Sequence, residues 1–237
     1  MQKIKQYFKS IIQRNHKWIL FMISFTFFIC LGLMYSRYNP PILNNIFFGA
    51  DSVRAFDDLI HIKDVTHYRI KVHPLMLILL QPIMLFINGL VQHAPTTIIL
   101  AGSLAGALNT IGIYDIISRY LKNTLSKYGI IAIYVCSFST MVFTTIPETF
   151  IFASVYLIMF WNFILKHLYD RDELTYLDYI ILVFFGIANF GITLTNYVQY
   201  LIGLLGLFFV NIKSMKIRVK NFIYLNLANG FFYSSFK

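Results

Sequence analysis

Charge and cysteine are what this chain has least of. Of 237 residues only 13% are Asp, Glu, Lys or Arg, and the acidic share is 10 residues against 20 basic ones. A soluble domain carries about 25%, so an ordinary water-soluble globule is excluded. The two cysteines, Cys30 and Cys136, both fall inside apolar runs. That excludes a disulfide framework or a thiolate metal site and predicts buried, inert packing for both. Repeats, low-complexity tracts and a separable soluble domain are also missing. What fills the chain instead is apolar: 58% hydrophobic residues, 18% aromatics and a mean hydropathy of +0.66. Runs of about 20 apolar residues recur from end to end, the mark of a polytopic α-helical membrane protein. The net charge of +10 does not point to nucleic acid, because the basic residues gather between the runs, where loop charge sets membrane orientation.

The expected fold is all-α, a single transmembrane helix bundle over 1–237. Its apolar segments are Trp18–Tyr35, Pro74–Val91, Thr96–Ile117, Tyr128–Ile146, Phe150–Leu165, Leu177–Thr195 and Tyr197–Ile212, with a weaker run at Phe222–Phe236. The basic N-terminus leads into the first run without a small-residue cleavage site and reads as a retained signal anchor. Whether Pro74–Val91 crosses is decided by charge. If it lies along the outer surface or re-enters from it, the cytoplasmic groups are Lys3, Lys5, Lys9, Arg14 and Lys17, then Arg119, Lys122 and Lys127, then Lys166 and Arg171, then Lys213, Lys216, Arg218 and Lys220. These are 14 of the 20 basic residues. If it crosses, the last three clusters all move outside, against the orientation rule. Gln81, Pro82 and Asn88 within the segment agree with an interfacial or re-entrant helix. The expectation is therefore six spans, an interfacial juxtamembrane helix at 74–91, and the start of a seventh span. The protein sits in a membrane, in a bacterial setting the cytoplasmic one, with its N-terminus cytoplasmic.

Within the spans, Gly102 and Gly106 stand four apart beside Ser103 and Ala107 and predict close helix approach inside the bundle. Asn109, Asn162 and Asn189 are expected to hydrogen-bond between helices. Asp115 is expected to pair with Arg119 four residues on.

Chemistry concentrates in the outer loop 37–73 and two short turns. The loop holds Asp51, Asp57, Asp58 and Asp64 with His61, His67 and His73. Asp51 precedes SVRAFDDLI, where a helix cap and a catalytic acid are equally good readings. Arg54–Asp58 and Asp57–His61 are four apart and explained by surface pairing. The histidines recur every six residues, which is not single-helix metal-ligand spacing, and no metal site is assigned. Along HYRIKVHP, Arg69, Lys71 and His73 alternate with apolar residues. An extended strand would present all three on one side, ready for a lipid phosphate or for headgroup attraction alone. Glu148 opens the fifth run within TTIPETF, as a dipole partner or a working carboxylate. On the six-span topology, the 37–73 loop, the Pro147–Glu148 turn and the Asn196–Tyr197 turn all face one compartment.

GADSVRAF, KVHPLM and TTIPETF together resemble the N-terminal module of the polytopic, polyprenyl-phosphate-dependent glycosyltransferases of the GT-C fold, such as protein O-mannosyltransferases and lipid A aminoarabinose transferases. In that family a first span leads to an outer loop with an early acid, juxtamembrane helices follow, and a later outer turn carries acid and Pro. The resemblance implies transfer of a sugar from a polyprenyl-phosphate donor to an acceptor on the outer side. It makes Asp51 the general base, with Glu148 also in the catalytic set. Arg69, Lys71, His73, Asp58 and Asn196 become substrate-binding residues. No cofactor is required by these motifs; Mg or Mn is the divalent cation the family pattern would admit. Two departures stand out. Asp51 is followed by Ser52 rather than a second acid, and full members carry further spans, so the chain reads as truncated after 237. The residues leave two alternatives open: a non-enzymatic binder or flippase of lipid-linked sugar, and a structural subunit completed by a membrane-protein partner.

Overall fold

The computed structural model describes residues 2–38, 59–60, 74–146, 149–170, 174–192 and 194–211, and among these the architecture is entirely helical. Eight helices carry it: α1 (Gln2–Tyr38), α2 (Pro74–Val91), α3 (Ala94–Tyr120), α4 (Thr124–Val135), α5 (Phe138–Thr145), α6 (Thr149–Asp170), α7 (Tyr176–Ile192) and α8 (Leu194–Asn211). By length and composition, 15–37 of α1, all of α3 and 150–169 of α6 can each cross a bilayer. The bent pair α4–α5 makes a fourth candidate.

Local chemistry sets the boundaries. Asn123 caps α4 by accepting from the Leu125 amide at 2.9 Å. At α7, Thr175 and Asp178 cap reciprocally: Asp178 Oδ2 accepts from the Thr175 amide at 2.7 Å, and Thr175 Oγ1 accepts from the Asp178 amide at 3.3 Å. Between α2 and α3 the chain reverses in two residues. Gln92 takes a left-handed φ of 53°, and its amide closes α2 on the Asn88 carbonyl at 2.7 Å. Pro95 then starts α3, where a missing amide hydrogen costs nothing. Thr97 Oγ1 donates to Asn88 Oδ1 at 3.1 Å, which ties the two helices together across the turn.

Helix directions follow from which residues meet. Lys17 meets Asp115 near one end of the α1–α3 pair and Gly32 meets Ile99 near the other, so α1 and α3 are antiparallel. Tyr128 meets Tyr114, while Thr144 meets Gly102, so α4–α5 also runs against α3. Asn109 reaches Ile151 and Asn162 reaches Gly112, making α6 parallel to α3, with its first turn against the middle of α3. Tyr200 meets Leu182, so α8 opposes α7, while Asn196 meets Ala153 and Gly203 meets Phe160, so α8 follows α6. The directions of α1, α3, α4–α5, α6, α7 and α8 therefore alternate. Helix α2 stands apart from the alternation. It runs back along α3, from the Asn88–Thr97 contact to Leu80 packed with Ala101 and Ala105. The end of α1 and the start of α3 consequently share one end of the bundle.

Two apolar cores hold the helices. One joins Met76, Leu80 and Met84 of α2 to Ile98, Ala101 and Ala105 of α3 and Ile151 and Phe152 of α6. The other joins Phe160 and Ile164 of α6, Leu182 and Phe185 of α7, and Tyr200, Leu204 and Leu207 of α8.

Four expectations resolve here. The glycine stripe packs within the chain: a Cβ on Gly102 would come 2.5 Å from the Thr144 carbonyl oxygen, and one on Gly106 would come 2.9 Å from the Phe28 ring. The run Tyr128–Ile146 is not one straight helix. It bends by 53° at Cys136–Ser137, where the Ser137 hydroxyl donates to the Tyr134 carbonyl at 2.8 Å and caps the next helix. Asp115 pairs with Lys17 at 2.6 Å rather than with Arg119, because α1 brings a cation directly alongside. Arg119 instead donates to Asn162 Oδ1. Cys30 and Cys136 are exposed, not buried; an outward position in a membrane helix faces lipid, so apolar surroundings in sequence do not require an interior place.

Candidate functional site

The first turn of α6 is where the chain's separate segments gather. Ile151 and Phe152 lie in one buried cluster with Leu59 and Ile60 of the long connection between α1 and α2. Leu59 is fully buried and Ile60 is 5% exposed. Both are helical. From α3, the Asn109 amide donates to the Ile151 carbonyl at 3.3 Å and to Ser154 Oγ at 2.6 Å. From α8, the Asn196 amide donates to the Ala153 carbonyl at 3.3 Å. Four consecutive residues of α6, 151–154, thus meet Leu59 and Ile60, α3 and α8. In sequence, Leu59 directly follows Asp58, and Ile151 comes three residues after Glu148.

Asn196 is the one predicted site residue among the described residues. Its amide is engaged with α6 backbone, so its observed contact is a helix tie. Asp51, Asp58, Arg69, Lys71, His73 and Glu148 lie outside the described residues, as do the extended stretch at 68–73 and the weak run Phe222–Phe236.

The asparagines inside the helices divide. Asn109 and Asn162 bridge helices as expected, the latter donating to the Gly112 carbonyl at 2.8 Å. Asn189 does not: its amide returns to the Phe185 carbonyl of its own helix at 2.9 Å. The side-chain oxygens of Asn109 and Asn189 are buried without a hydrogen-bond partner among the described residues. Such acceptors are expensive in a water-free interior. Asn109 stands beside the α6 start, so that junction has unspent accepting capacity.

The opposite end of the bundle has its own polar contacts. His167 Nε2 lies 3.5 Å from Asp178 Oδ1, with the His167 ring 4.5 Å from that of Phe163. Lys17–Asp115 and Arg119–Asn162 lie towards the same end. Sequence reasoning missed the Lys17 partner because pairing across helices leaves no spacing signal, whereas i,i+4 pairs do. It also missed the Ser137 break, because Thr140 three residues on is not the Glu or Gln that marks a capping box in sequence. Among the described residues no three His, Cys, Asp or Glu cluster in a metal-binding arrangement. No family model, curated protein or solved structure matches the chain.

Proposed function

We propose that this chain is a membrane glycosyltransferase-like protein that crosses the bilayer six times and moves a sugar from a polyprenyl-phosphate donor to an acceptor on the outer side. The observation that carries the reading is the junction at residues 151–154. Leu59 beside Asp58, Ile151 near Glu148, and Asn196 all belong to it, which supports one shared site for the three polar segments. The alternating directions of α1, α3, α4–α5, α6, α7 and α8 support six crossings. The reversed α2 supports a re-entrant segment that begins and ends on the outer side. Lys17, Arg119, Lys122, Lys127 and Lys166 belong to the opposite end, in keeping with a cytoplasmic N-terminus.

In this reading Asp51 accepts the acceptor's proton as it attacks. Arg69 and Lys71 hold the donor phosphate and offset the charge that grows on the leaving group. Glu148, His73 and Asp58 orient the sugar and acceptor. The test is sugar transfer to an envelope acceptor in cells carrying Asp51→Asn at wild-type protein level. Loss of transfer supports the assignment. Undiminished transfer removes Asp51 from the chemistry.

A further inference from the structure

Where α3 and α6 end together, far from residues 151–154, the chain holds a guanidinium in place without giving it a counter-charge. Arg119 is half-buried and donates to Asn162 Oδ1. Asn162 is itself anchored, donating to the Gly112 carbonyl at 2.8 Å. A guanidinium carries five N–H donors, and Asn162 accepts from one of them. Lys166 lies one turn beyond Asn162 on the same face of α6, about 5–6 Å away between Cβ atoms, so its ammonium is within reach of the same space. Tyr169 continues that face, and its ring meets the Tyr120 ring of α3 at 6.2 Å. Neither Arg119 nor Lys166 has a carboxylate at ion-pair distance among the described residues, where the pairs are Lys17–Asp115 and His167–Asp178.

We propose that Arg119 and Lys166 bind a phosphate group at the membrane surface, Arg119 as a bidentate fork and Lys166 as a point charge. Depth agrees with this. The candidate spans in α3 and α6 end at Tyr120 and Tyr169, which are 55% and 60% exposed, as tyrosines at headgroup level are. Phosphate is the abundant anion at that level. Loop charge alone does not account for the pair. Membrane orientation needs only exposed cations such as Lys122, whereas Arg119 is aimed by two successive hydrogen bonds and partly desolvated, which disfavours a lone charge. A phospholipid headgroup and a soluble phosphate ester present the same group, and the experiment separates them. The site is independent of sugar transfer, since none of its residues belongs to the outer segments.

The test uses the full chain, purified and stripped of lipid in a neutral detergent. Phosphatidylglycerol, phosphatidylcholine and inorganic phosphate are titrated separately while thermal unfolding is followed, because a ligand of the folded state raises the midpoint as it binds. A saturable rise with phosphatidylglycerol exceeding that with phosphatidylcholine assigns a lipid phosphate. A rise with inorganic phosphate and no such lipid difference assigns a soluble ester. Neither result overturns the proposal only if one of them is seen; the absence of both overturns it. Arg119→Gln keeps a donor for Asn162 and should weaken the assigned ligand about tenfold or more, and Lys166→Gln about 1.5- to fivefold. Lys122→Gln removes an exposed charge near the same end and should leave binding unchanged. Wild-type affinity in Arg119→Gln overturns the site, as does an equal loss in Lys122→Gln, which would show diffuse surface attraction. If Arg119→Gln does not fold, Lys166→Gln against Lys122→Gln decides by the same comparison. Binding that appears only in Asp170→Asn would show that a carboxylate four residues past Lys166 already holds the cations, and also overturns it.

Discussion

Replacing Gly102 by Ala tests the helix packing where one helix lies directly against the backbone of another. The added methyl would sit 2.5 Å from the Thr144 carbonyl oxygen, which is backbone of α5 and cannot rotate away. Normal carbon–oxygen contact requires about 1 Å more, so α3 and α5 must part along the stretch that also holds Gly106 against Phe28. Overpacking of this kind costs about 1–3 kcal/mol. For a chain of this length that is about 2–12 °C in thermal midpoint. The matched control is Gly129→Ala in α4, where nothing lies within 4 Å of the new methyl. There the change only trades a poor helix former for the best one and should stabilise by about 0.4–1 kcal/mol. Thermal unfolding in detergent or nanodiscs, followed by tryptophan emission, reads both. Two substitutions of identical chemistry should thus move the midpoint in opposite directions. Equal shifts, or a harmless Gly102→Ala, would refute the close approach of α3 to α5.

Other perturbations probe separate joints. Gly191→Ala drives a methyl into the Leu75 side chain and should loosen α2 from α7, detected as faster proteolysis near the start of α2 with little change elsewhere. Gln92→Gly relieves the left-handed φ of 53° and should stabilise by up to about 1 kcal/mol, measured by the same thermal assay. Asn109→Ala removes two bonds to α6 and should cost about 0.6–1.7 kcal/mol, whereas Asn189→Ala breaks no inter-helix bond and should cost less. A double-mutant cycle on Lys17 and Asp115 should give a coupling of only about 0.2–1 kcal/mol, falling with salt, because the Lys17 side chain is 51% exposed.

The helices were legible in the sequence because long apolar runs bounded by basic residues have few other uses. Helix α2 has the bounds its apolar run predicts, Pro74–Val91. Pairwise detail was less legible. Gly102 and Gly106 announce a close contact but not its partner, and Asp115 gives no sign that α1 will bring Lys17 to it. Cys30 and Cys136 show why hydropathy alone fails inside a membrane: lipid and protein interior are equally apolar, so neither surface leaves a compositional trace. For the site, the sequence marked Asp51, Glu148 and the basic row by their rarity. Leu59, Ile151 and Phe152 share one core and Asn196 bonds the adjacent Ala153 carbonyl, contacts that no spacing in the sequence announces, while Asp51, Glu148 and the basic row lie outside the described residues.

Single-cysteine labelling tests the shared outer face most directly. In a chain carrying Cys30→Ser and Cys136→Ser, the variants Asn45→Cys, Glu148→Cys and Lys122→Cys are each exposed to a membrane-impermeant maleimide in intact cells. The first two should react at once and the third only after permeabilisation. A Glu148→Cys protein that stays unlabelled until the cytosol is opened would contradict the account.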